Sequence, residues 1–259
     1  MIALPFFQVD AFAGRPLSGN PAAVMPLDQW LDDEVMQAIA AENNLSETAF
    51  TVPSKSGDAD YELRWFTPTT EVELCGHATL AAGHVLIRGA QVRFSTRSGI
   101  LTVSSDGDLL QLDLPAFEVK PGALPELVEA LGANGELFLG EGGNNSAMLL
   151  LPDEAAVRSV KPDFAILRRF DRLVMVTAPG DSHDIVSRVF AAYHGIDEDP
   201  VTGSAHAALV PFWAKRLGRG DFTAFQASRR GGVLHCRLSG DRVILGGKCV
   251  TVIEGYFQL

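Results

Sequence analysis

GHATLAAGHVLIR at residues 76–88 and GSAHAALVPFWAKRL at residues 203–217 decide the fold. Each opens on a glycine followed by a polar residue, then carries small or apolar residues on nearly every side. That is the pattern of a helix enclosed by protein rather than one lying on a surface. Setting Gly76-His77-Ala78 beside Gly203-Ser204-Ala205 aligns the two. Strand-like runs follow each helix, at 91–95, 100–104 and 109–114 in one case and at 222–227, 233–238 and 242–246 in the other. The matched windows imply an internal duplication at about half the chain length. Pro211 is expected to kink the second helix.

Upstream of the first helix, strands are expected at 3–10 (ALPFFQVD), 21–25, 48–53 and 61–67, and a helix at 31–42 through Leu31, Val35, Ala38 and Ile39. The second half has strand-like 145–151 and 172–177 ahead of its own small-residue helix. These patterns predict an α+β fold of two similar half-domains, each a curved mixed β-sheet wrapped around a buried central helix. The halves are placed at 1–117 and 118–248, joined near Pro115 to Pro125, with a final strand at 249–259 packing back onto the first. The cleft between halves is the expected ligand site. GEGGNN at 140–145 reads as a turn, since it has neither the GK[ST] of a P-loop nor dinucleotide-fingerprint spacing.

With 259 residues, 47% of them hydrophobic, the chain can bury one large core or two smaller ones. Its net charge is −11 and no stretch gathers Lys and Arg into a stripe, which excludes a nucleic-acid partner. The same charge repels anions at long range, so an anionic ligand must be held by local donors such as helix N-termini. Cys75, Cys236 and Cys249 are odd in number and lack CxxC spacing, against a disulfide framework or structural zinc and for a reducing compartment. The opening MIALPFFQVDAFAGRP has no basic n-region, and no apolar run reaches bilayer-spanning length. The expectation is a soluble cytoplasmic protein with no membrane partner.

Gly76 and Gly203 let the backbone approach a ligand closely where first-turn N–H groups lack intrahelical acceptors. Two such ends could bind a carboxylate without Lys or Arg; equally, the glycines could serve tight helix–sheet packing. Glu47 lies in NNLSETAFTV, immediately before an apolar strand. Partial burial there would suit a carboxylate to proton transfer, and the plainer alternative is an exposed strand-end glutamate. Asp199, in GIDEDPVTGSAH, reads either as a polar site residue or as a helix cap with Pro200 at the first helical position. His77 and Ser204 hold matching places in the two helices and could orient a substrate's polar groups. His84 and His206 complete no HExxH or comparable ligand spacing, so neither a metal nor an organic cofactor is expected. No GxSxG elbow supports serine hydrolysis.

Taken together, DAFAGRPLSGNPAAV (10–24), ENNLSETAF (42–50), LRWFTPTTEVELCGHATLAAGHVL (63–86), GIDEDPVTGSAHAAL (195–209) and QASRRGG (226–232) resemble the PhzF-like family of phenazine biosynthesis, in that family's order. The resemblance spans nearly the whole chain and is least distinctive over 115–170. It implies a diaminopimelate-epimerase-like fold, no metal or organic cofactor, and a homodimer. It also implies Glu47 as proton carrier, with His77, Asp199 and Ser204 at matching motif positions. The namesake reaction isomerises a dihydro-hydroxyanthranilate, and the resemblance does not carry that substrate over. Two rival functions stand beside it. A thiol-type amino-acid epimerase needs two opposed cysteines, but Thr202 occupies the place opposite Cys75, leaving Cys75 as a packing residue. The other is a non-catalytic binding protein on the same fold.

Overall fold

The computed structural model describes residues 2–140 and 145–259. The chain runs through β1 (Ala3–Ala11), β2 (Asn20–Pro26), α1 (Asp33–Asn43), β3 (Glu47–Pro53), β4 (Tyr61–Phe66), β5 (Glu71–Val72), α2 (Gly76–Leu86), β6 (Gln91–Thr96), β7 (Gly99–Asp106) and β8 (Leu109–Pro115). It continues through β9 (Val119–Pro121), α3 (Pro125–Leu131), β10 (Glu136–Gly140), β11 (Ser146–Leu150), α4 (Glu154–Ser159) and α5 (Phe164–Leu167). The rest comprises β12 (Leu173–Pro179), β13 (Ile185–Ala191), β14 (Ile196–Asp199), α6 (Gly203–Leu217), β15 (Asp221–Gln226), β16 (Gly232–Ser239), β17 (Arg242–Gly247) and β18 (Cys249–Gln258). Two compact units result, Met1–Asp113 with Gly246–Leu259, and Leu114–Leu245. Among the described residues, no helix is long and apolar enough to cross a membrane.

In the first unit, β18 pairs antiparallel with β1, and β1 antiparallel with β2. The ladder continues parallel from β2 to β3, antiparallel to β4, parallel to β6, then antiparallel to β7 and β8, with β5 folded back on β4. In the second unit, β9 pairs antiparallel with β10, and β10 antiparallel with β11. From there the ladder is parallel to β12, antiparallel to β13, parallel to β15 and antiparallel to β16, with β14 folded back on β13. The same succession of parallel and antiparallel pairings occurs twice, each time with a small-residue helix after the short folded-back strand. The duplication read from the two glycine-led helices is therefore a property of the strand order as well.

α2 packs against β1, β2, β3, β7 and β18, and nine of its eleven residues are buried. Such enclosure leaves no room for side chains on the close-approach side. A Cβ placed on Gly83 would sit 2.5 Å from Val103 Cγ1 and 2.8 Å from Val103 Cβ. Gly83→Ala is expected to destabilise the protein by about 1–3 kcal/mol through overpacking, read from the urea midpoint. A midpoint unchanged within error would show that β7 yields freely. On the other face of this sheet, α1 buries Met36, Ile39 and Ala40 against Met25, Phe50 and Phe66.

α6 runs as one helix through Pro211 to Leu217. A proline leaves the carbonyl four residues earlier without its helical donor, and here the backbone N–H of Phe117 donates to Ala207 O at 2.9 Å. α6 also packs Phe212 edge-on against Phe138 of β10, and Trp213 Nε1 donates to Thr177 of β12 at 3.0 Å. The outer core of this unit gathers Leu127, Leu131, Val157 and Leu167 from α3, α4 and α5 beneath the strands. Of the turn expected at 140–145, residues 141–144 lie outside the described residues.

Candidate functional site

Gly19 brings the first site residue into place. Its φ is +65°, and a Cβ there would meet Ala11 O at 2.1 Å, so only glycine fits the turn between β1 and β2. Asn20 then enters β2 fully buried, and the parallel pairing of β2 with β3 sets Ala22 opposite Glu47. Glu47 is thus the first residue of β3 and is half-buried, rather than the exposed strand-end residue of the plainer alternative. In the second unit the corresponding first pair is Ser146 opposite Leu173. The carboxylate is present in one copy of the duplicated frame only.

His77 Nε2 lies 3.1 Å from Glu47 Oε2. The two atoms are buried, but the ring N–H does not point along the line between them, so neither has an aligned hydrogen-bond partner. The contact is a close charge pair. On the other edge of the ring, Nδ1 is 3.2 Å from Asn20 Nδ2 and 3.6 Å from Cys75 Sγ, while Asn20 Oδ1 accepts from Ser46 at 3.4 Å. With the amide nitrogen towards the ring, neutral His77 accepts at Nδ1 and carries its proton on Nε2, facing Glu47. Burial alone would pull His77 down. The negative charges that Cys75 and Glu47 can carry, and close contacts with both, instead hold it well above the usual histidine value. Burial, and after it the Glu47 charge, pushes the Cys75 thiol up to about 11, so the free thiol stays protonated near neutral pH.

Both central helices begin alike. The residues before them, Cys75 and Thr202, are extended, with φ −143° and −119°, and neither side chain caps the first turn. The N–H groups there are left for a ligand to accept from. Gly76 and His77 occupy the first turn of α2, and Gly203 with half-buried Ser204 that of α6.

Asp199 ends β14 and is buried; the helix starts four residues later at Gly203. The capping alternative, with Pro200 at the first helical position, is therefore corrected. Its carboxylate accepts from the Thr202 hydroxyl. Fully buried Gln226 fastens this turn to β15: Oε1 accepts from Thr202 N at 2.9 Å, and Nε2 donates to Asp199 O at 2.7 Å and to Thr202 Oγ1 at 3.2 Å. Asn20 and Gln226 were not among the expected site residues. Both were legible as amides on core-facing strand positions, Gln226 in phase with buried Phe222 and Ala224, and a buried amide must find partners.

His206, one turn into α6, has Nδ1 2.8 Å from the Thr202 carbonyl, which makes Nδ1 the donor and leaves buried Nε2 without a partner. Burial lowers its pKa to about 4. A folded value below the unfolded one, ordinarily about 6.5, means that the unfolded chain binds the extra proton first. The stability His206 protects is complete above pH ~6.5 and is lost as pH falls towards ~4, by about 3 kcal/mol in all. Urea unfolding of wild type and His206→Asn across that window should give a visibly flatter acid limb for the variant. Parallel limbs would overturn the assignment.

The phenazine biosynthesis-like protein family, PhzC-PhzF, matches residues 9–255. A Pseudomonas aeruginosa protein described as an uncharacterized isomerase is 51% identical over 99% of both chains. A Halalkalibacterium halodurans protein with the same description is 44% identical over 100% of both. A crystal structure of a PhzF-family phenazine biosynthesis protein from Enterococcus faecalis superposes with a TM-score of 0.93 at 45% identity, covering 100% of each chain. Two units of one topology, a single strand-end carboxylate beside a helix-start histidine, and likeness along the whole length lead to one conclusion: the chain belongs to the phenazine biosynthesis-like PhzC-PhzF family and is an isomerase.

Proposed function

We propose that the isomerisation is a cofactor-independent proton transfer on a small carboxylate-bearing substrate, with dihydroaromatic amino acids as the first candidates. The observation that carries this reading is the 3.1 Å approach of His77 Nε2 to the Glu47 carboxylate at the start of α2. The Glu47 carboxylate takes a proton from an acidic carbon, the charge spreads through an adjacent unsaturated system, and Glu47 returns the proton at a neighbouring carbon. His77 keeps the carboxylate oriented. First-turn N–H groups at Gly76 and Gly203 donate to the substrate carboxylate and steady the developing negative charge, while Asp199 and Ser204 hold an amino or hydroxyl group. The Glu47 carboxylate is base and then acid in turn, so no metal or organic group is required.

The thiol-epimerase alternative is disfavoured on two counts. Cys75 stays a thiol up to about 11, and the Thr202 hydroxyl at the matching helix start is engaged by Asp199. Incubation of the chelator-dialysed protein with dihydroaromatic and aromatic amino acids in deuterated water tests the proposal. Product should form with solvent deuterium at the new C–H position. Binding of such ligands without any deuterium incorporation would favour a non-catalytic binding protein, and activity restored only by an added metal would remove the cofactor-independent mechanism.

A further inference from the structure

Among the described residues, Glu47, Cys75 and His77 are the one group of three Cys, His or carboxylate side chains whose donor atoms all lie within 4.8 Å of one another. We propose that these three form a binding site for a borderline-to-soft divalent cation, of which Zn2+, Co2+ and Cd2+ are the type, and that the bound ion blocks proton transfer. The blocking half rests on Glu47 as proton carrier; the binding half does not.

Donor spacing supports the site. Zinc bonds of about 2.0–2.3 Å place two ligand atoms of a tetrahedron roughly 3.3–3.6 Å apart. His77 Nε2 and Glu47 Oε2 are 3.1 Å apart, and one donor atom from each of the three residues lies within 4.8 Å of the others, so an ion held at Nε2 draws Cys75 Sγ across from its place 3.6 Å from Nδ1. Glu47 Oε2 and His77 Nε2 are both buried without an aligned partner, which is the condition of atoms able to turn to an ion. Charge supports it as well: a carboxylate and a thiolate neutralise a divalent cation, so the occupied site carries no net buried charge. Burial keeps the thiol protonated in the free protein, but coordination deprotonates a thiol outright.

The donor set also selects the ion. One sulfur, one imidazole and one carboxylate suit Zn2+, Co2+ or Cd2+ and discriminate against Mg2+ and Ca2+, which require several oxygens. Three protein ligands leave a fourth position open. Outside the ligands, the Asn20 amide against Nδ1 fixes the ring so that Nε2 faces the ion, in the manner of an outer-shell partner. An ion in this place sits on the carboxylate that would otherwise take the substrate proton.

Titrating chelator-treated protein with Co2+ under anaerobic conditions tests binding directly. A thiolate-to-cobalt absorption band should rise to saturation at one equivalent and disappear on adding Zn2+. Cys75→Ser should lose the band, with its fold verified by circular dichroism. Asn20→Ala, which keeps all three ligands, should weaken Co2+ affinity by roughly 10–100-fold. No band at several-fold excess Co2+, or a band that survives in Cys75→Ser, would overturn the site. Deuterium incorporation by wild type should then stop at saturating Zn2+ and resume after chelation. Undiminished incorporation with one Zn2+ bound would overturn the blocking role. The spectroscopic arm needs no substrate, so a failure of the site and a failure of Glu47 as base are separately visible.

Discussion

Glu47→Gln is expected to lower turnover of a confirmed substrate by roughly 10²–10⁴-fold while leaving its affinity within a few-fold of wild type. The substitution preserves the shape of the side chain and its place opposite Ala22 on the β2–β3 ladder, so the sheet that carries it has no reason to change. What it removes is the carboxylate 3.1 Å from His77 at the start of α2, and an amide cannot accept a proton from carbon. In the proposed mechanism the substrate carboxylate is bound by backbone donors at the uncapped helix starts, which the variant keeps. The loss should therefore appear in kcat and in the rate of deuterium incorporation rather than in KM. Wild-type turnover in a folded Glu47→Gln protein would remove Glu47 from the mechanism.

How far the sequence led can be judged from particular elements. The two central helices were legible because enclosure demands small or apolar residues on every face, and few other elements make that demand. The boundary of α6 was read at both ends, from Gly203 to Leu217. The first helix was placed two residues early, at 31, because Leu31 continues the apolar spacing; it packs against the α1 core from the preceding loop. β10, β13 and β14 were not anticipated, nor were α3, α4 and α5. Fully buried strands such as β13, with Ile185, Val186, Val189 and Phe190, show no alternation, and helices of four to seven residues are too short for periodicity. Their stability comes from the tertiary core around Leu127 and Val157, which no local window contains.

The candidate site divides in the same way. Glu47 and His77 are thirty positions apart in sequence, and nothing in their spacing pairs them. They meet because the parallel β2–β3 ladder and the close approach of α2 to both strands bring the start of β3 beside the start of the helix. The duplication adds a physical reason for asymmetry. One frame repeated twice provides two uncapped helix starts, whereas the proposed proton transfer needs a base in one place only, and the first parallel pair carries Glu47 in one copy and Leu173 in the other. The capping alternative for Asp199 arises because Asp-Pro is a good helix start locally. In the folded chain β14 claims Asp199, and Thr202 takes the position before the helix.

Gln226→Ala is expected to cost roughly 3–5 kcal/mol of stability, the sum of the lost hydrogen bonds to Thr202 N–H, Thr202 Oγ1 and Asp199 O and the cavity of a lost side chain. Gln226 is fully buried, and its amide serves three atoms at once: the Thr202 N–H, the Thr202 hydroxyl and the Asp199 carbonyl. At so buried a position the Thr202 N–H, deprived of its acceptor, would bear a desolvation cost of about 1–3 kcal/mol, and the Asp199 carbonyl would lose a donor. Gln226→Glu separates packing from bonding. It keeps the volume and the acceptor for Thr202 N–H but turns a carboxyl oxygen onto Asp199 O beside the Asp199 carboxylate, so its stability loss should grow as pH rises and the buried carboxyl ionises, whereas that of alanine should not. The same network presents the Asp199 carboxylate, through the Thr202 hydroxyl, at the start of α6. Turnover in the folded glutamate variant should therefore drop more than its stability loss explains, with kcat falling while KM holds. Urea unfolding with an unchanged m-value gives the stability term. A loss below about 1 kcal/mol for Gln226→Ala would mean that the turn between β14 and α6 holds its own shape, and that Asp199 is positioned by the helix rather than by the strand beside it.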